Sequence, residues 1–203
     1  MRGIESAYVE WRRQLRTGLR RQQETSIPLY EQTRRFRIYQ PFIPPALLQT
    51  AGYAAEMMRS RRVFLGLPDD VDEAVEARMN RQRVLYSGDR RFLIVLEEQA
   101  LRTRIVSQDA MAGQLDRLLA TMDLQRVSVG IIPAGGARSP SAFGEGFVIF
   151  DDAMVRVETT SAELTITQPA EIALYGRTFT EMQSAAVYGA AARGLIAAAV
   201  AAI

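Results

Sequence analysis

A chain of 203 residues with 48% hydrophobic and 24% charged side chains has the size and balance of one globular domain. It contains no histidine, cysteine or lysine, which excludes Ser-His triads, cysteine nucleophiles, Schiff bases, disulfides and metal sites built on His or Cys. The net charge of +2 hides a split, with nine Arg against four Glu in residues 1–40 and sixteen Arg against nineteen acids in residues 41–203. The later part is thus a poor polyanion binder on charge alone, and basic character gathers at the start. Met1 to Arg20 is charged throughout and has no apolar core of a secretory signal, so a cytoplasmic location is expected.

Glu5 to Gln23 lacks proline and has sparse apolar residues, which predicts an exposed helix with Arg12, Arg16 and Arg20 along one stripe. A second helix is predicted from Leu29 to about Tyr39, with Pro28 in its first turn. After the break at Pro41, Pro44 and Pro45, Ala46 to Arg62 carries apolar residues at helical spacing, and Glu73 to Tyr86 forms the next helix. The period then changes: Arg91 to Leu96 is a short buried-type strand, Glu98 to Ile105 begins another helix, and Met111 to Met122 is strongly helical. Val127 to Ile132 reads as a strand stopped by Pro133, and Ala134 to Gly146 as a Gly/Ser/Pro loop. Phe147 to Phe150 and Met154 to Glu158 read as a hairpin around Asp151-Asp152, and Leu164 to Thr167 as a shorter strand. Pro169 opens a long C-terminal helix. The expectation is an α/β (or α+β) single domain: a mainly buried sheet of four to five strands flanked by helices over residues 41–203, preceded by a basic helical extension at residues 1–40.

Taken in order, these segments resemble the domain that follows the helix-turn-helix in actinobacterial XRE-type regulators. The likeness begins at Pro45-Ala46-Leu47-Leu48-Gln49-Thr50 and Tyr53-Ala54, continues through Glu76 to Gln82, Leu96 to Arg102 and Met111 to Leu119, and extends to the helix from Tyr175 to Ala186. Ala46 stands where the family has Gly, and Arg138 where it often has His. Only two predicted helices precede the region, fewer than a helix-turn-helix domain needs. The resemblance implies a regulatory domain, sensing a small molecule or docking on a protein, that does not itself read a DNA sequence. Two other classes stay open. One is a standalone cofactor-independent enzyme using Glu, Arg and Tyr side chains; the other is a pure protein-interaction module.

Arg78, Arg81 and Gln82 fall at i, i+3 and i+4 on one helical face. A guanidinium fork beside an amide suits a carboxylate or phosphate. The alternative is a structural ion-pair network with Glu98 or Glu158. The candidate ligand-binding set is therefore Gln49, Arg78, Arg81, Gln82, Glu98 and Glu158, with Glu98 the general base in the enzyme reading. Neither a metal nor a cofactor is implied. The glycines at 135, 136, 144 and 146 form no phosphate loop, since they lack the lysine and the following helix that such loops need. Weak, salt-sensitive binding to nucleic acid is expected from Arg12, Arg13, Arg16, Arg20 and Arg21. The Ala-rich tail from Ser184 to Ile203 carries Arg193 in its middle, so no membrane span is expected. It is expected to build a homodimer or to dock Leu195, Ile196, Val200 and Ile203 on the sheet. A cavity of roughly 300–1,000 Å³ ringed by Arg, Gln and Glu would mark a ligand site, and a flat face an interaction module.

Overall fold

Phe36 and Ile38 alternate with Arg37 and Tyr39, a period of two, and the segment Arg35–Gln40 is a strand, β2, near the middle of the sheet. This corrects the helix predicted over Leu29 to Tyr39. The computed structural model describes residues 7–138 and 144–203, so Glu5, Ser6 and the middle of the Ala134 to Gly146 loop lie outside the described residues. In chain order the elements are β1 (Ala7–Glu10), α1 (Trp11–Gln14), α2 (Leu19–Gln32), β2, α3 (Ala51–Leu65), α4 (Val71–Arg81), β3 (Arg91–Glu97), α5 (Gln108–Thr121) and β4 (Val127–Ile132). They continue with β5 (Phe147–Phe150), β6 (Met154–Glu158), β7 (Ala162–Ile166), α6 (Pro169–Ala185) and α7 (Gly189–Val200).

The seven described strands form one mixed sheet in the order β1-β7-β6-β5-β2-β3-β4, two to three strands more than expected, in a single α/β domain. β2, β3 and β4 are parallel, and the other pairings are antiparallel. Helices α3 to α5 lie in the β2-to-β3 and β3-to-β4 crossovers, and two crossovers that step in the same direction with the same hand place their helices on the same face. On that face Phe36 stacks on Phe92 at 4.7 Å and packs with Tyr30, Phe150, Leu48 and Leu115. The opposite face carries Tyr39, Val95, Ile132, Phe147 and Ile149, covered by Ile172, Phe179 and Met182 of α6.

Residues 7–40 are part of this body rather than an extension. β1 pairs with β7, and Trp11, Leu15 and Leu19 pack on Met58, Val71 and Ala74 of α3 and α4. The predicted helix from Glu5 to Gln23 is broken at Gly18, whose φ of 105° lies in the left-handed region. The start of α2 is capped from far away, since Asp70 accepts both Leu19 N–H and Arg20 N–H at 2.9 Å. Arg12, Arg16 and Arg20 therefore belong to three different local segments.

The predicted long C-terminal helix is two helices on opposite faces. Between them Val187 exchanges two backbone hydrogen bonds with Ile131, at 2.8 and 3.0 Å, so the chain crosses beside β4. Gly130 admits the Tyr188 ring there, because a Cβ at that position would stand 2.5 Å from it. Ala192, Ile196 and Ala199 of α7 are then buried in the main core, with Leu195, Val200 and Ile203 packed against it. The tail's apolar residues are thus covered within the chain and supply no argument for a dimer. Among the described residues no helix is long and apolar enough to cross a membrane.

The Tyr53 hydroxyl is buried without a hydrogen-bond partner, and burial raises its pKa beyond the usual phenol range. An unmet buried hydroxyl costs about 1–3 kcal/mol. Tyr53→Phe is expected to raise the melting temperature by about 2–4 °C, the shift that about 1 kcal/mol gives a chain of this size. A phenol raised in the folded state titrates first in the unfolded chain, so stability falls as pH rises past about 10, and the variant should lose less there than the wild type. Calorimetry at neutral and alkaline pH checks both.

Candidate functional site

The segment between Pro44 and Thr50 has little regular structure to pair its backbone, and two buried glutamines do that work. Gln82 Nε2 donates to the carbonyls of Ala46 (2.8 Å) and Gln49 (2.7 Å). Gln114 Nε2 donates to Leu48 O at 2.8 Å, and its Oε1 accepts Thr50 N–H at 2.8 Å. The side chain of Gln49 is buried in the same knot, with Nε2 donating to Pro44 O at 2.8 Å and Oε1 accepting from Arg78. Gln49 and Gln82 are therefore clamps behind the site rather than groups that face a ligand.

Arg78 also donates from Nε to Gln23 Oε1 of α2 at 3.1 Å. Enclosure by protein pushes its pKa down to about 9, and the nearby charge of Arg81 acts in the same direction. The guanidinium still carries its proton at neutral pH. Arg81, one helical turn on, is 6% exposed. Its guanidinium lies 4.7 Å from the centre of the Tyr30 ring, a cation–π contact. Among the described residues it makes no hydrogen bond or ion pair, and its Nε is buried unpartnered.

Both arginines line a cavity of about 100 Å³ between α2, α3, α4 and the antiparallel half of the sheet. Strand alternation brings the rest of the lining. Val148 pairs with Arg156 and Glu158 pairs with Glu163, so on the face covered by α3 to α5 the residues of β6 and β7 become charged where those of β2, β3 and β5 are apolar. Arg156 Nε lies 3.7 Å from Glu163, and Arg61 lies 4.0 Å from Glu158 at the exposed mouth. Burial lifts the Glu163 carboxyl above the ordinary range, against the pull of Arg156 and the weaker pull of Arg81. Four guanidiniums thus face two carboxylates, a surplus of two positive charges. The two ion pairs account for Arg61 and Arg156, and the surplus falls on Arg78 and Arg81.

The structure thus joins three predicted residues, Arg78, Arg81 and Glu158, around one cavity, which adjoins β5 to β7. It separates Glu98 from them. The Glu98 carboxylate accepts Ala134 N–H at 3.0 Å and pairs with Arg102 at 2.7 Å, pinning the turn after β4; these bonds hold its pKa below the usual range. The buried acid is its neighbour Glu97, on the α6 side of β3, which accepts from Tyr39 Oη at 2.8 Å and pairs with Arg138. Sequence reasoning missed Arg61, Arg156 and Glu163. The period-two alternation of Arg156 with Glu158 was the available signal for two of the cavity's charges.

Residues 23–198 match the domain of unknown function DUF5753. The chain belongs to that family. The DUF5753 match begins inside α2 and takes in every cavity-lining element that follows it. No curated protein matches this DUF5753 chain significantly. Among solved structures it is similar to TrmBL2, an archaeal chromatin protein, at 11% identity over 93% of this chain, with a TM-score of 0.44. The chain spans 56% of the length of that protein. It is also similar to NucT from Helicobacter pylori, at 12% identity over 91% of this chain and 99% of that one, with a TM-score of 0.46.

The roles of the two helix-α4 neighbours separate by substitution. Gln82→Ala leaves two buried carbonyls unmet and is expected to cost roughly 2–4 kcal/mol. Arg81→Met removes a buried cation that has no carboxylate within ion-pairing distance and keeps the volume, so it is expected to leave the melting temperature unchanged or higher. Thermal unfolding of the two variants checks the pair. A sharp loss in Arg81→Met would mean that its charge is structural.

Proposed function

We propose that this domain senses a small anion and serves as the regulatory module of an XRE-type transcription regulator in the cytoplasm. Arg81 carries the first part. A buried charge with no partner is costly, and the ring of Tyr30 offsets only about 0.5–2 kcal/mol. An anionic ligand would supply the missing partner. The second part rests on the ordered sequence resemblance, from the Pro45 to Thr50 segment through the Tyr175 to Ala186 helix.

The cavity is smaller than the expected range and holds the volume of about three waters. That space suits one phosphate or carboxylate group, and a surplus of two positive charges favours a dianion. A larger molecule would leave its remainder outside, past Arg61 and Glu158. Arg78 and Arg81 would hold the anion, and Ser26 and Gln23 of α2 would report its presence toward the N-terminal elements. A convergent charged cavity favours sensing over the interaction-module reading.

One observation favours an enzyme as the second reading. Glu158 and Glu163 stand opposite each other on β6 and β7, one exposed and one lifted in pKa by burial. Carboxyls set apart in this way can act as base and acid. The catalytic candidates would then be these two in place of Glu98, and Glu163→Gln would abolish turnover while leaving anion binding in place.

Native mass spectrometry of the protein purified from its own host tests the main reading. A retained anionic small molecule is expected on the wild type and not on folded Arg81→Met. At a hundredfold excess over its dissociation constant the ligand should stabilise the wild type by about 2.7 kcal/mol, a melting shift of about 5–11 °C. Absence of any retained anion, together with no shift from phosphate, pyrophosphate or dicarboxylates, would overturn it.

A further inference from the structure

We propose that α1 and the first turns of α2 form a second, separate surface that holds the phosphate backbone of double-stranded DNA without reading its sequence. The side chains of Arg13, Arg16 and Arg21 converge on an open groove of about 590 Å³ on the outer side of α2. All three are exposed, and among the described residues none makes an ion pair or hydrogen bond. Arg20, between them in sequence, differs: its Nε is tied to Glu24 at 2.7 Å. No Asp or Glu lines the groove, so the three charges add rather than cancel.

The neutral lining suits the same partner. Gln22 Oε1 accepts from Gln23, which leaves the Gln22 amide N–H groups free to donate, and the Thr17 hydroxyl adds another donor. Guanidinium, amide and hydroxyl donors are the groups that bind phosphate oxygens. The helix end itself is not available, because Asp70 already takes Leu19 N–H and Arg20 N–H. No aromatic or large apolar side chain lines the groove. Proteins that hold single strands stack bases on aromatic rings, and those that enter a lipid surface insert apolar or aromatic residues. Both partners are therefore disfavoured, and the duplex backbone remains.

The break at Gly18 is what makes the surface. On one continuous helix from Glu5 to Gln23 the basic residues would have formed a convex stripe. The turn between α1 and α2 instead folds Arg13 and Arg16 toward Arg21. Contact through phosphates alone carries no base code, so unrelated sequences should bind alike.

The test is fluorescence anisotropy of the full chain with labelled duplexes of two unrelated sequences. We expect equal affinity for both, with a dissociation constant of roughly 10⁻⁴–10⁻⁶ M at physiological salt. Three phosphate contacts give a slope of log affinity against log salt of about −2.7, or about a fortyfold loss between about 50 and 200 mM. Replacing Arg13, Arg16 and Arg21 together with Ala should abolish binding while leaving the melting temperature unchanged, since all three are exposed. Arg177→Ala, on α6 across the sheet, should bind like the wild type. Four results would each overturn the proposal: no binding at low salt, undiminished binding by the triple variant, tighter binding to a single strand than to duplex, or anionic vesicles bound in preference to DNA.

Discussion

A guanidinium held away from water needs acceptors, and Arg78 finds two amide oxygens in two different parts of the chain. Gln23 comes from α2 and Gln49 from the segment after β2, so one side chain of α4 ties the whole helical layer together. The clamps at Gln82 and Gln114 make that layer rigid by pairing the backbone from Ala46 to Thr50. Breaking a buried charged network of this kind typically costs about 3–5 kcal/mol. Because the layer is fixed through polar bonds, it can stand off β5 to β7 and leave a small charged space, where apolar contact would otherwise close it.

That space carries a charge imbalance that the fold does not resolve. Arg156 and Arg61 have carboxylates within ion-pairing distance, while Arg81 makes no ion pair and lies over the face of an aromatic ring. Retaining such a group runs against stability, and a buried charge of this kind in a cleft is a functional-site candidate. Helix α2 separates this interior cavity from the outer arginine groove, and Gln22 borders both. An anion in the cavity would touch the inner face of the helix whose outer face presents the groove.

The strands β3 to β6 and the α5 helix were legible because their apolar periods are uninterrupted and local. The errors share a cause: the deciding interaction was distant in sequence. The cap of α2 is Asp70, 51 residues on, so nothing near Gly18 announced a helix start. Phe36 and Ile38 alternate as a strand requires, but Pro28 reads as the start of a helix over β2, whereas it lies inside a helix that ends before β2. Val187 breaks the C-terminal helix only by pairing with Ile131. Within the site, the helical spacing of Arg78 and Arg81 was visible, but Gln82 at i+4 turned out to face the backbone of another segment. Glu98 and Glu97 are adjacent, and strand alternation decides which one is buried. Arg61, Arg156 and Glu163 could not be joined to Arg81 without the sheet order.

On the proposed function, Arg81 is a buried cation that takes an anion as its partner. Crystals of the wild type soaked with selenate, whose selenium can be located by anomalous diffraction, test it most directly. A selenium peak within hydrogen-bonding reach of the Arg78 and Arg81 guanidiniums, with the Tyr30 contact retained, is the predicted result. A cavity without that peak, in crystals where Arg81 is turned out to solvent or paired with a carboxylate of this chain, would contradict it.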